Sequence, residues 1–202
     1  FESATLFRAE VNMSHHTLLA AAALLIAVPS FAQTPATAVK PIPAPSPEIE
    51  VGRIAPDFTM PVAGADGVGT PVRLSDLRGK VVVLAFYPLD RSGGCTHQLT
   101  KFRDEYEKMF GTGTVVLPVS VDSLSTHVSW ASEMKFPFVL GSDPELSLAK
   151  TYGSFDPNRR HSRRTVFVIG KDGRILFRNL AFGALNENAY TELATEVAKA
   201  HN

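Results

Sequence analysis

The chain predicts an α/β domain with a central mixed β-sheet, helices on both faces, and a small β-hairpin at its N-terminal end. Three observations predict it. Val81–Tyr87 is an unbroken apolar, β-branched run, the signature of a strand covered on both faces. Cys95–Phe110 carries Leu99, Phe102, Tyr106 and Phe110 at helical spacing, and Val115–Val121 follows as a second buried strand, so strand, helix and strand alternate. Lys171-Asp172-Gly173 separates Thr165–Ile169 from Ile175–Leu180, a hairpin signal that makes the sheet mixed rather than wholly parallel.

The remaining elements follow in order. Asp57–Met60 and Val72–Leu74 make the expected N-terminal hairpin. Leu124–Met134 reads as a helix with Ser123 as its N-cap. Phe138–Leu140 reads as a short strand. Glu145–Tyr152 follows Asp143-Pro144, which puts a proline at the start of a helix. Glu187–Ala200 closes the chain as a helix. The order is hairpin, βαβα, a short strand and helix, then ββα.

Upstream of this domain the composition changes twice. The first methionine is Met13, and Thr17–Val28 is a short apolar run ending near Ser30-Phe31-Ala32, a small-x-small pattern. Together they read as a secretory signal peptide cut after Ala32, with Phe1–Asn12 outside the native product. The run is shorter than the roughly 20 residues that a membrane span needs; an uncleaved anchor is the alternative. Thr34–Glu50 holds Pro35, Pro41, Pro43, Pro45 and Pro47 and almost no large apolar residue, so it reads as an extended tether. The expected organisation is 1–32 upstream extension and signal peptide, 33–50 linker, and 51–202 one folded domain. The expected location is periplasmic or secreted, with no membrane association once the signal is removed.

Charge and composition exclude some partners. Lys plus Arg equals Asp plus Glu at 20 each, so no basic excess points to nucleic acid or an anionic membrane. Six histidines and one cysteine show no metal-ligand spacing, and no metal or cofactor is expected.

Cys95 carries the chemistry. It follows the Val81–Tyr87 strand and a turn containing Pro88, Gly93 and Gly94, and it opens a helix. A thiol there faces unpaired backbone N–H groups and the positive end of the helix dipole. Both favour thiolate, the reactive form. A single cysteine cannot close a disulfide within its own chain, so in an exported protein it implies an intermolecular partner or a working thiol.

Four stretches in order resemble the peroxiredoxins, the alkyl hydroperoxide reductase and thiol-specific antioxidant group of thioredoxin-like proteins. They are Val51–Phe58 with Leu74–Lys80, Phe86–Thr96, Ser120–Trp130 and Arg164–Ile169. The second contains Pro88, Ser92 and Cys95 at the family's Pro-x-x-x-Thr/Ser-x-x-Cys spacing. The resemblance implies a thioredoxin-like fold and a thiol-dependent peroxidase of the one-cysteine type. It implies Cys95 as the peroxidatic thiolate, Ser92 in place of the family's usual threonine, Pro88 as the pocket's shield and Arg164 as the arginine beside the sulfur. Three further positions depart from the family's habit: Gln98 replaces a frequent glutamate, Gly170 a frequent aspartate, and Arg91 a usual aromatic.

Lowering the thiol pKa supplies only part of such a rate, because nucleophilicity falls with it at a slope of about 0.4–0.5 in thiol–disulfide exchange. Fixed donors must meet the charge that builds on the peroxide oxygens. Arg164, the Ser92 hydroxyl and the backbone N–H groups of Gly94 and Cys95 are the candidates. Arg163 is adjacent, and strand alternation sends the two arginines to opposite faces. His97 reads as an exposed helix residue, and His127 and Trp130 as parts of the fold. The expected substrate is hydrogen peroxide or an organic hydroperoxide, and the expected reductant is an external thiol or thioredoxin-like protein. Two rivals use the same fold. A thiol–disulfide oxidoreductase needs Cys-x-x-Cys, where this chain has Ser92-Gly93-Gly94-Cys95. A non-catalytic redox partner differs by lacking peroxide turnover.

Overall fold

The computed structural model describes residues 49–202. The proposed signal peptide and nearly all of the proline-rich tether lie outside the described residues. In chain order the elements are β1 (Thr59–Met60), β2 (Val62–Gly64), β3 (Gly67–Val68), β4 (Val72–Arg73), a 3-10 turn at Leu74–Leu77, β5 (Val81–Phe86), α1 (Gly93–Asp104), α2 (Tyr106–Phe110), β6 (Thr114–Ser120), α3 (Leu124–Met134), β7 (Leu140–Ser142), α4 (Ser147–Thr151), β8 (Phe155–Asp156), β9 (His161–Ser162), β10 (Thr165–Ile169), β11 (Ile175–Asn179) and α5 (Glu187–His201).

The main sheet has seven strands in the order β11-β10-β5-β6-β7-β2-β3. β5, β6 and β7 run parallel, and β10, β11, β2 and β3 are added antiparallel. The predicted mixed sheet is therefore present. β5 lies at its centre, which is why its sequence shows no polar alternation. Val81, Val83, Ala85 and Tyr87 enter one core with α1, α2, α3 and α5. Val82, Leu84 and Phe86 enter the other, with α4, Tyr152 and Phe167.

Several elements differ from expectation. β1 and β4 pair antiparallel, Thr59 with Arg73 and Met60 with Val72, but they do not form a simple hairpin. β2 and β3 are inserted between them and join the far edge of the main sheet beside β7. The helix expected over Cys95–Phe110 is two helices, broken at Glu105 (φ −109°, ψ 23°). The strand expected at Phe138–Leu140 is shifted to Leu140–Ser142. α4 does not start at Pro144: Leu146 takes a left-handed conformation (φ 56°) and the helix begins at Ser147. The hairpin of β8 and β9 had no sequence signal.

Candidate active site

The site forms where β5 ends. Phe86 and Tyr87 are fully buried, and the chain then turns through Pro88, Leu89, Asp90 and Arg91 before α1 begins. Arg91 sits at φ 58°, a left-handed conformation that costs a non-glycine residue about 1–2 kcal/mol. Its guanidinium donates to Ser129 Oγ at 3.0 Å and Glu133 Oε2 at 2.9 Å, which fastens the turn to α3.

Beneath the turn lies a buried polar network. Tyr87 Oη donates to Asp90 Oδ1 at 2.7 Å, and His127 Nδ1 lies 2.8 Å from Asp90 Oδ2. His127 Nε2 lies 3.2 Å from the Gly141 carbonyl, which can only accept, so that nitrogen carries a hydrogen. The Asp90 backbone N–H donates to Asp122 Oδ2, which also accepts from Ser120 Oγ. Burial, and then the Asp90 charge, hold the Tyr87 phenol well above its ordinary pKa, so it stays a donor. The ends of β5 and β6, α3 and β7 are thus tied together at the turn. His127 and Trp130 are buried parts of this framework, as expected. Sequence reasoning missed Asp90, whose partner is 37 residues away.

Ser92 is the N-cap of α1, and Cys95 is the helix's third residue. The first i→i−4 bond of α1 runs from Thr96 N to Ser92 O at 2.8 Å. The N–H groups of Gly94 and Cys95 precede it and have no acceptor within the helix. Cys95 is fully buried. Arg164 Nη2 donates to Cys95 Sγ at 3.3 Å, and Nη1 of the same guanidinium donates to Gln98 Oε1. Gly94 lies directly beneath this guanidinium: a Cβ there would be 3.2 Å from Arg164 Nη2 and 3.8 Å from Ala184 Cβ. The glycine is what allows the close approach.

The other expected residues fall as follows. Arg164 precedes β10 and is anchored through its carbonyl, which accepts from Phe182 N at 3.0 Å. Arg163 turns away and bonds the Gly153 carbonyl. Pro88 is half-buried at the head of the turn. His97 is exposed, its ring 6.4 Å from that of Tyr190. The Ser92 hydroxyl faces the turn. It gives its one hydrogen to the Leu89 carbonyl at 3.1 Å and makes no bond to Cys95, so in this conformation it closes the turn.

A buried thiol, an arginine on the sulfur and free N–H groups at a helix start can be compared with known proteins. The model of the AhpC/TSA family matches residues 51–178. This chain belongs to that family. The peroxiredoxin Bcp of Bacillus subtilis is 34% identical over 134 residues, covering 63% of this chain and 83% of that protein. A protein assigned as a peroxiredoxin bcp in Coxiella burnetii is 39% identical over 133 residues, covering 63% and 85%. The crystal structure of Enterococcus faecalis AhpC superposes with a TM-score of 0.67 at 25% identity, covering 75% of this chain and 92% of that one. The chain is thus a peroxiredoxin with a thioredoxin-like fold, an oxidoreductase acting as a thiol-dependent peroxidase. Its single cysteine fits the one-cysteine type.

Proposed function

We propose that Cys95 is the peroxidatic residue and that Arg164, with the N–H groups of Gly94 and Cys95, stabilises the charge that moves during the reaction. The observation that carries this reading is the Arg164 Nη2 to Cys95 Sγ contact. The thiolate attacks the outer oxygen of a hydroperoxide; an S–O bond forms and the O–O bond breaks. Sulfur is oxidised to sulfenic acid, and the departing oxygen leaves as alkoxide or hydroxide and then takes a proton. The guanidinium stabilises the thiolate first and then meets negative charge on the oxygens, as fixed donors do in a water-poor site. Ser92 supports the turn from its contact with Leu89, and Pro88, half-buried at the head of the turn, shields the thiol.

One external thiol condenses with the sulfenic acid, releasing water and leaving a mixed disulfide. A second thiol displaces it and restores Cys95. A dithiol reductant of the thioredoxin-like class supplies both. The full burial of Cys95 favours small hydroperoxides as substrates. The apolar Thr17–Val28 run and the Ser30-Phe31-Ala32 site support export to the periplasm or beyond, with 33–50 as a tether and 51–202 as the working domain.

The test is the rate at which the reduced protein consumes one equivalent of hydrogen peroxide, with mass spectrometry of Cys95. The expected result is stoichiometric sulfenic acid, formed far faster than by a free thiol, with a rate about 10²–10³-fold lower in Arg164→Ala. A wild-type rate no better than a free thiol would overturn the assignment and point to a redox partner protein.

A further inference from the structure

Cys95 and Gln98 lie three residues apart on α1 and share one face of the helix. Both touch the same guanidinium, Cys95 through Sγ and Gln98 through Oε1. Because arginine only donates, the Gln98 carbonyl oxygen must face it, and this fixes the amide's orientation. The Gln98 NH2 group is then left buried with no partner among the described residues. A buried unpartnered donor is destabilising and calls for an explanation. Glutamate has nearly the same shape, carries no such donor, and would form an ion pair with Arg164.

The charges around the site are otherwise engaged. Among the described residues no carboxylate lies within 4.0 Å of Arg164. On α1, Lys101 is held by Glu105 and Glu187, and His97 is exposed. In the turn, Asp90 is bound to His127, and Arg91 to Glu133 on α3. On α5, Glu187 is bound to Lys101, and Tyr190 donates to the Ala184 carbonyl. Arg163 bonds Gly153.

We propose that Gln98 is a positioning residue that holds Arg164 on the sulfur without cancelling its charge, so that the Cys95 thiolate is the guanidinium's anionic partner. A carboxylate at this position would keep the hold and compete for the charge. Gln98 therefore gives up a satisfied hydrogen-bond pattern for a stronger field at the sulfur. This inference rests on the peroxidase reading of Cys95.

The test compares wild type, Gln98→Glu and Gln98→Ala in the second-order reaction with hydrogen peroxide across pH, with thermal unfolding of each. In Gln98→Glu the pH of half-maximal rate moves up by about one unit or more, as a competing charge requires. The rate at neutral pH falls and recovers toward high pH. In Gln98→Ala the guanidinium loses its brace but no charge is added. Its rate falls across the whole pH range, and its half-maximal pH moves less than that of the glutamate variant. A folded Gln98→Glu whose profile overlays wild type overturns the proposal. So does Gln98→Ala with the wild-type rate, which remains decisive if the glutamate variant does not fold. A slow wild-type protein would instead fail the peroxidase reading, so the two failures are distinguishable.

Discussion

At the scale of single residues, two adjacent glycines have different jobs. A Cβ on Gly93 meets nothing within 4 Å, whereas one on Gly94 presses on Arg164 Nη2 at 3.2 Å. Neither glycine has a positive φ, so alanine is sterically compatible with the backbone at both. Replacing glycine by alanine in a helix is worth up to about 1 kcal/mol. Gly93→Ala is expected to raise the urea midpoint with little change in peroxide rate. Gly94→Ala is expected to be no less stable yet to lose on the order of tenfold in rate, part of the cost of losing a fixed donor, because the flexible guanidinium is the group that gives way. Measuring stability and second-order rate on both variants checks this. A Gly94→Ala variant as fast as wild type would show that the guanidinium need not sit where it does. Cys95, Arg164 and the glycines were legible in the sequence because their spacing along the chain is itself the motif. The contact of the Ser92 hydroxyl was not legible because its partner, the Leu89 carbonyl, is a backbone group that no side-chain pattern announces.

At the scale of elements, the active-site turn is held from below by Asp90 and His127, whose side chains are 2% and 0% exposed. Removing one member of a buried pair leaves the other desolvated and unpaired, at a cost of about 3–5 kcal/mol. Asp90→Ala should therefore lower stability by that order in urea unfolding and slow the peroxide reaction by loosening the turn. Asp90→Asn keeps an acceptor for His127 and should lose less of both. Equal, small losses in the two variants would show that the pair does not brace the turn. Elements with local signals were readable. α3 begins where Ser123 said it would, with Ser123 Oγ accepting from Thr126 N at 3.3 Å. α4 was misplaced because its first turn is organised by Asp143, whose Oδ2 accepts from Ala149 N at 2.8 Å. The break at Glu105 was hidden because both sides of it feed the same core, so the apolar spacing runs on unbroken. The Asp90–His127 pair joins residues 37 apart in the chain, which no local pattern links.

At the scale of the whole molecule, the central strand and the mixed sheet followed from burial on both faces of β5. The insertion of β2 and β3 at the far edge did not. Val62 and Ala63 pair with Gly141 and Leu140, about 80 residues on, and two- and three-residue strands leave no periodicity to read. The same two-sided core places all four tyrosines of the chain, Tyr87, Tyr106, Tyr152 and Tyr190, against apolar surroundings. Burial raises each phenol above its ordinary pKa. The Asp90 charge adds to this at Tyr87 and the Glu107 charge at Tyr106. At Tyr152 the shift is mainly burial. Tyr190 is pushed up to about 12 by burial, against the opposing charges of Arg164 and Lys101. An unfolded tyrosine ionises near about pH 10. Above that pH the unfolded chain has lost protons that the folded chain still binds, so stability falls as pH rises. The tyrosines' contribution is thus complete below about pH 10 and is lost as pH climbs through the folded values, near 12 for Tyr190. Phenolate absorbance and far-UV circular dichroism, followed together in an alkaline titration, are expected to change in one cooperative step above pH 10. Tyr190→Phe should make the alkaline fall in stability shallower. A phenolate signal that rises near pH 10 while the dichroism stays native would mean that at least one tyrosine is open to water, and that the core over α1 and α5 is looser than its packing implies.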